Sequence, residues 1–199
     1  SARNVIWTGA KPLAITNCLN YGNPNDPEIY WQFKESVSGI GDACKKLNTP
    51  VTGGNVSFYN ESKSGSIPPS PIISCLGKMK DANKAITMSF KKFNSNIFMI
   101  GKRKNELGGS LYYSLYDQLG ANVPDPDLNE VKHQIYAITD CIDNRLIESC
   151  HDISDGGIVV ALSEMTFENN IGCCVTIPGT LSVEKLFFSE TGGFIIEVE

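Results

Sequence analysis

The hydrophobic residues of the chain follow two patterns, a helical repeat and short continuous runs. The helical repeat is the clearer of the two. Between residues 27 and 47 apolar side chains return every three or four positions, the interval that places them on one face of an α-helix. Asp26 and Pro27 stand where an N-cap and a first helical residue are expected. We predict a helix over residues 27–47 whose apolar stripe belongs to the core, formed by Ile29, Phe33, Val37, Ile40, Cys44 and Leu47.

The remaining elements follow from the same kind of pattern. Residues 128–146 repeat the helical spacing, and residues 107–119 and 156–167 are predicted as two further helices. Short continuous apolar runs bounded by turn residues predict buried strands over residues 13–19, 72–76, 96–101, 171–177 and 194–198. Strands and helices therefore alternate along the chain, which favours a layered α/β or α+β fold.

Composition and charge exclude several classes of protein. The chain has 199 residues and a formal net charge of −5, so it lacks the basic face with which a protein displaces counterions from nucleic acid. No apolar stretch approaches the ~18 residues needed to cross a membrane, and no signal peptide is recognisable. The seven cysteines form no C-x-x-C pair, which is typical of a reducing compartment. We expect a cytoplasmic protein with neither a nucleic-acid nor a membrane partner.

The segment TGGNVSFYNE, residues 52–61, is the first candidate for chemistry. Gly53 and Gly54 after a short apolar run allow positive φ angles, so that consecutive N–H groups could point at one anion. Asn55 offers a neutral oxygen suited to Mg²⁺, and Ser57 offers a hydroxyl for a phosphate or substrate oxygen. The alternative is a tight β-turn with Asn55 in a left-handed conformation.

The second candidate is HDISDGG, residues 151–157. One interpretation is a phosphate- or metal-facing turn at a helix N-terminus, with His151, Asp152 and Asp155 as its polar groups. The other is structural: Asp155 caps the helix and His151 is a packed, hydrogen-bonded ring. Both interpretations remain open from the residues alone, although His151 is not expected to act as a catalytic base.

Five motifs in this order give the chain a family resemblance. They are ITNCLNYGNP at residues 15–24, WQF at 31–33, TGGNVSFYNE at 52–61, IPPSP at 67–71 and HDISDGG at 151–157. Together they resemble the C-terminal half of the large subunit of phosphoribosylformylglycinamidine synthases, within the AIR synthase-related superfamily. The resemblance implies most of an AIR synthase-like N-terminal subdomain over residues 1–83 and an incomplete C-terminal α/β subdomain over residues 84–199. In relatives the N-terminal subdomains pair into a β-barrel.

The resemblance also implies roles for individual residues. Asn17 and Gly54 match positions that bind the nucleotide, Asn55 matches a Mg²⁺ ligand, and Ser57 matches a contact to formylglycinamide ribonucleotide. Asn17 departs from the family pattern, because relatives often carry Asp there. The stretch FSETGGF, residues 188–194, departs as well, since relatives often carry Glu-Ser-Gln or Glu-Ser, and no substrate contact is assigned to it.

The implied activity is ATP-dependent amidation of formylglycinamide ribonucleotide in purine synthesis, with ammonia derived from glutamine. Implied partners are ATP, Mg²⁺, the remainder of the same chain, a PurQ-like glutaminase and a PurS-like subunit. The chain lacks the histidine-rich motif of the family's N-terminal half and any glutaminase arrangement, so we expect this piece to be inactive alone. Its abrupt first and last residues predict a segment of a longer polypeptide with exposed strand edges at both ends.

Two other functions are compatible with the same residues. One is another ATP-dependent enzyme of the superfamily, such as a selenophosphate synthetase or a thiamine-phosphate kinase. The other is a non-catalytic structural module, in which any nucleotide is held permanently as part of the fold.

Overall fold

The computed structural model describes every residue from Ser1 to Glu199, and the chain forms two compact units. The first consists of residues 1–2 and 12–78, and the second of residues 3–11 and 79–199. The short N-terminal helix α1, Ala2–Ile6, therefore belongs almost wholly to the second unit. None of the helices combines the length and the apolarity needed to span a bilayer.

The first unit is a three-stranded sheet with one long helix and a small hairpin. Its main strands lie in the order β2-β1-β5, and β1 runs parallel to β2. A parallel pair needs a crossover connection, which is the helix α2. The elements are β1 Lys11–Asn20, α2 Pro27–Leu47, β2 Val51–Ser57, β3 Glu61–Ser62, β4 Gly65–Ser66 and β5 Ser70–Lys78.

Helix α2 begins and ends where the sequence predicts. A side-chain oxygen of Asp26 accepts a hydrogen bond from the backbone N–H of Glu28 at 2.8 Å, and Asn48 ends the helix in a left-handed conformation with φ 55°. The prediction that its apolar stripe is core is wrong, however, because no residue of α2 is fully buried. Phe33 packs edge-on against the rings of Tyr21 and Phe58, and the rest of the stripe is partly or largely exposed.

The pairing of β1 with β2 contains a β-bulge. Ile15 lies opposite Val51, but Thr16 lies opposite Gly53, so Thr52 is an extra residue on β2. Its hydroxyl donates to the carbonyl of Ile15 at 3.3 Å. A bulge changes which side chains of the bulged strand share a face with those of its partner, so Thr52 fixes how the following residues of β2 match β1.

The second unit is built around a three-stranded antiparallel sheet in the order β6-β8-β7. Helix α5 packs against this sheet and against α6. A core cluster formed by Phe90, Ile153, Met165, Ile195 and their neighbours lies between them. The elements are β6 Asn96–Ile100, α3 Leu111–Ser114, α4 Leu128–Asp143, β7 Ser149–Ile153, α5 Gly157–Met165, α6 Val183–Phe188 and β8 Gly193–Val198, with a 3₁₀ turn at Ala82–Lys84.

The mixed α and β architecture is confirmed, but three local predictions for this unit are wrong. Only Leu111–Ser114 of the predicted helix 107–119 is helical. Residues 171–177 form no strand, because Ile171, Val175 and Ile177 place their side chains on the core without backbone pairing. The final strand β8 is not an exposed edge, since β6 and β7 pair with it on either side.

A buried carboxylate fixes the centre of this sheet. Glu197 of β8 is fully buried and accepts hydrogen bonds from the backbone N–H groups of Lys91 and Lys92, at 2.9 Å each, and from the hydroxyls of Ser95 and Ser149, at 2.8 Å each. Burial alone would raise the pKa of Glu197, but these hydrogen bonds together lower it below its ordinary value of 4.5. The ionised side chain thus ties residues 91–95 and β7 to the central strand.

The substitution Glu197→Gln is expected to lower the melting temperature of the full-length protein at pH 7. A neutral amide loses the charge assistance of several hydrogen bonds, at a cost of about 2–4 kcal/mol. Because the folded pKa lies below the unfolded one, this stabilisation is present above about pH 4.5 and is lost as the pH falls through the folded value. The wild type should therefore lose stability on acidification more steeply than the variant. Calorimetry from pH 3 to 8 measures both effects.

The matched control is Glu35→Gln, on the exposed surface of α2, which should melt like the wild type throughout. Equal melting temperatures for Glu197→Gln and the wild type at pH 7 would contradict the structural role of the buried carboxylate.

Candidate functional site

The predicted nucleotide-binding residues Asn17 and Gly54 are direct neighbours across β1 and β2. They are paired in the strand register, and a Cβ atom placed on Gly54 would lie 2.0 Å from Oδ1 of Asn17 and 2.7 Å from its carbonyl oxygen. The asparagine side chain therefore lies directly over the glycine. Only glycine fits at position 54 while Asn17 keeps this position, which makes the two residues one structural feature.

The glycine pair does not form the loop that the sequence suggests. Gly53 and Gly54 lie inside strand β2 and neither has a positive φ angle. The turn with Asn55 in a left-handed conformation is wrong for the same reason, because Asn55 is also extended. Gly53 differs from Gly54 in having open space beside it. A Cβ on Gly53 would meet nothing within 4 Å, so the backbone there is open to a ligand.

Asn55 and Ser57 lie on the face of the sheet opposite to Gly54, because side chains alternate along a strand. Asn55 pairs with Cys18 and is exposed, whereas Ser57 pairs with Asn20. The hydroxyl of Ser57 lies 3.1 Å from Nδ2 of Asn60, so it has a partner within the protein. The four predicted residues thus occupy neighbouring positions on β1 and β2 but divide between the two faces.

The side chains near β2 could hold Mg²⁺ only together with a nucleotide, because the phosphate oxygens of the nucleotide would have to supply further ligands to the metal. No cluster of three or more His, Cys, Asp or Glu side chains could hold a metal ion in this chain. Asn55 supplies one exposed amide oxygen, and Mg²⁺ in proteins commonly keeps waters and phosphate oxygens beside one or two protein ligands. The donor set at β2 therefore suits a metal that arrives with a phosphate.

The second candidate, HDISDGG, places two of its polar residues in strand β7 and not in a turn. His151 and Asp152 are both buried. Nε2 of His151 lies 2.7 Å from Oε2 of Glu164 on α5, and its Nδ1 lies 3.5 Å from Oδ1 of Asp152. Burial lowers the pKa of His151, but the two neighbouring carboxylates outweigh it and the net pKa is raised. His151 is thus a packed, hydrogen-bonded ring, as the structural interpretation predicts.

The turn after β7 carries the exposed polar groups. Ser154 and Asp155 are exposed, and Gly156 and Gly157 follow with φ angles of 75° and 70°. Gly156, and not Asp155, is the N-cap of α5, and no side chain caps the helix. The capping role predicted for Asp155 is therefore wrong, and its carboxylate is directed to solvent beside a helix N-terminus.

Helix α1 and Trp7, which follows it, supply neighbours of Asp152 and His151 that no sequence motif selected. Nδ2 of Asn4 donates to Oδ1 of Asp152 at 3.0 Å, and the ring of Trp7 lies 5.8 Å from that of His151. The Arg3 guanidinium is largely desolvated, which lowers its pKa, while the charge of Asp152 partly restores it. These residues are some 150 positions from Asp152 along the chain, and no local pattern could connect them.

Comparison with known proteins identifies relatives over the whole chain. The family model for the AIR synthase related protein N-terminal domain matches residues 1–79, and that for the C-terminal domain matches residues 94–198. The phosphoribosylformylglycinamidine synthase subunit PurL of Methanothrix thermoacetophila is 42% identical over 98% of this chain and 27% of its own length. That of Thermobifida fusca is 42% identical over 98% of this chain and 26% of its length. The chain thus spans about a quarter of the curated relatives it matches.

Solved structures share the fold at lower identity. T. maritima PurL complexed with FGAR superimposes with a TM-score of 0.74 at 17% identity, covering 100% of this chain and 33% of that one. T. maritima PurL complexed with AMPPCP has a TM-score of 0.66 at 22% identity over 100% of this chain and 28% of that one. The hydrogenase maturation protein HypE has a TM-score of 0.70 at 14% identity over 99% of this chain and 62% of that one.

The two glycines of β2 provide a matched pair of substitutions. Gly54→Ala forces a methyl group against Asn17, which should cost about 1–3 kcal/mol and lower the melting temperature of the full-length protein by a few degrees. Gly53→Ala has open space around its Cβ and should melt like the wild type. Differential scanning fluorimetry of the two variants tests this, and equal melting temperatures would contradict the close contact between Asn17 and Gly54.

Proposed function

This chain belongs to the AIR synthase related protein family, and we propose that it is part of a phosphoribosylformylglycinamidine synthase. Such an enzyme converts formylglycinamide ribonucleotide to formylglycinamidine ribonucleotide in purine biosynthesis, with ATP and glutamine-derived ammonia. The observation that carries the proposal is the 42% identity to PurL subunits over 98% of the chain. Two observations on the paired strands support it: Asn17 lies directly over Gly54 on one face, and Asn55 and Ser57 share the other.

The strand pair β1–β2 is the proposed nucleotide and substrate site of this segment. Asn17 and the exposed backbone at Gly53 and Gly54 would contact ATP, and the Ser57 hydroxyl would contact the ribonucleotide. Asn55 would be one ligand of Mg²⁺, which when bound offsets negative charge on the phosphoryl group. T. maritima PurL has been solved with AMPPCP and with FGAR, which supports these ligand classes.

The proposed chemistry divides into activation and displacement. ATP transfers its terminal phosphoryl group to the amide oxygen of the substrate, releasing ADP and creating a phosphate leaving group. Ammonia then attacks the carbon of that amide, the C–O bond to phosphate breaks as the C–N bond forms, and the added nitrogen loses a proton to solvent. The residues assigned here on the strand pair carry amide and hydroxyl side chains only, so their proposed contribution is to bind and orient the two ligands.

The rest of the reaction requires other parts of the protein. We propose that the remaining polypeptide completes the active site and that a PurQ-like glutaminase and a PurS-like subunit supply ammonia. A T. maritima assembly named PurLQS shares the fold with a TM-score of 0.66, which supports these partners. All seven cysteines are free, which supports a reducing, cytoplasmic location.

The alternative is a module that holds a nucleotide for structural reasons only. In the second unit, the 2.7 Å contact between the buried His151 and the partly exposed Glu164 is compatible with this alternative, because it engages both side chains within the protein. The two roles predict different effects of substituting an exposed residue that contacts the nucleotide or its metal. In a catalytic site the substitution lowers the turnover rate, whereas in a structural site it lowers the stability of the protein.

The substitution Asn55→Ala in the full-length enzyme separates the two roles. Its side chain is exposed, so removal should leave the melting temperature within about a degree of the wild type. Loss of a ligand to the metal and phosphate should lower kcat for formylglycinamidine ribonucleotide formation at least about a hundredfold, as removal of one transition-state contact does elsewhere. Steady-state kinetics with saturating ATP and glutamine measure this.

Asn25→Ala, in the exposed turn before α2, is the matched control and should retain full activity. A lower melting temperature with normal turnover would instead support the structural module. Wild-type turnover and stability together would refute both roles for Asn55.

A further inference from the structure

The second unit contains a cavity of about 180 Å³ that is lined by charged side chains of both signs. Its positive groups are Arg3 of α1 and two lysines that follow β6, Lys102 and Lys104. A water molecule takes up about 30 Å³ of the liquid, so the cavity has room for several waters or for one small anion. All of its lining residues belong to the second unit.

The guanidinium of Arg3 has no hydrogen-bond partner in the chain. It donates to no protein oxygen and forms no ion pair, and Asp152 acts on it only through its charge. A Cβ on Gly192 would lie 2.2 Å from Cζ of Arg3 and 2.2 and 2.4 Å from its two terminal nitrogens, so the group is packed against the Gly192 backbone. A guanidinium carries five N–H donors in a planar fork, and here those donors are left to water or to a ligand.

A second guanidinium adds positive charge beside the first. Burial lowers the pKa of Arg103 to about 10, the Glu106 carboxylate acts to raise it, and the charge of Arg3 acts to lower it. Arg103 remains charged at neutral pH and donates to the carbonyls of Ser189, at 2.9 Å, and Thr191. Arg103 is therefore engaged by the protein, whereas Arg3 carries the same charge with its donors unused.

Most of the acidic side chains around the cavity are engaged by other groups. Oε1 of Glu106 lies 3.5 Å from Nζ of Lys104. Oε1 of Glu130 accepts from a neighbouring glutamine amide at 3.1 Å, and Asp127 caps α4. The carboxylate of Asp125 is exposed to solvent. The cavity wall thus combines neutralised acids with one desolvated cation that lacks an acceptor.

We propose that this cavity is a separate ligand site, in which the Arg3 guanidinium binds an oxyanion that is either a phosphate group or a carboxylate. Both present two oxygens that match the planar fork of an arginine. Lys102, which is exposed at the cavity, adds a second positive charge. The site shares no residue with the strand pair β1–β2, so it goes beyond the proposed function and does not depend on it.

Gly192 offers a way to displace the Arg3 guanidinium without removing its charge. Its φ angle is not positive, so alanine is compatible with the backbone there. The added methyl group would nevertheless occupy the position of the guanidinium, and the flexible arginine side chain would have to move aside. Arg3→Lys makes the complementary change, because it keeps the charge but loses the planar fork.

The test follows hydrogen exchange by mass spectrometry in the full-length protein during a titration with sodium phosphate at constant ionic strength. Phosphate should slow exchange in peptides covering residues 1–8 and 188–194. Arg3→Ala and Gly192→Ala should raise the half-protecting phosphate concentration at least about tenfold, as loss of a charge-assisted contact does, and Arg3→Lys about threefold. The control Lys34→Ala, which removes an exposed positive charge on α2, should stay within about twofold of the wild type.

A parallel titration with sodium acetate identifies the source of the oxyanion. Protection by phosphate alone supports a phosphate group, protection by acetate alone supports a carboxylate, and protection by neither overturns the proposal. Protection that persists in Arg3→Ala also overturns it, as does equal weakening in Lys34→Ala, since the anion would then respond to general charge. If Arg3→Ala does not fold, Arg3→Lys and Gly192→Ala decide by the same criterion.

Discussion

The second unit depends on a constraint at its central strand. Strand β8 pairs with β6 on one side and β7 on the other, so its backbone is satisfied and its side chains are nearly all buried. One of those buried side chains is Glu197, whose charge is stable there only because backbone N–H groups and hydroxyls surround it. The buried carboxylate therefore couples the central strand to the segment of residues 91–95 and to β7.

Elements with strong local signals were predictable from sequence. Helix α2 begins after Asp26 and ends at Leu47 as expected, because capping and periodicity are encoded within the helix itself. The burial of its stripe was not predictable, since it depends on what packs against it. The prediction of a helix over residues 107–119 failed for a related reason. This segment contacts residues distant in sequence, such as Glu190 and Phe188, and these contacts override its local helical preference.

In the candidate site, too, some features could be predicted from the sequence and others could not. The residue types at positions 17, 54, 55 and 57 could be selected from their motifs, but not their arrangement. That Asn17 lies over Gly54 follows from the pairing of two strands separated by a 21-residue helix. A pair of glycines is equally compatible with a turn and with an extended strand approached closely by a neighbour. Only the position of Asn17 distinguishes these cases.

The bulge at Thr52 decides which residues of β1 the polar residues of β2 lie opposite. Because of that one extra residue, Val56 lies opposite the buried Leu19, and Asn55 and Ser57 lie opposite Cys18 and Asn20. If Thr52 instead paired with Thr16, the register would shift by one, placing Asn55 opposite Leu19 and Val56 opposite Asn20. The partners of Asn55 and Ser57 on β1 therefore depend on Thr52 remaining outside the ladder, where its hydroxyl donates to the carbonyl of Ile15.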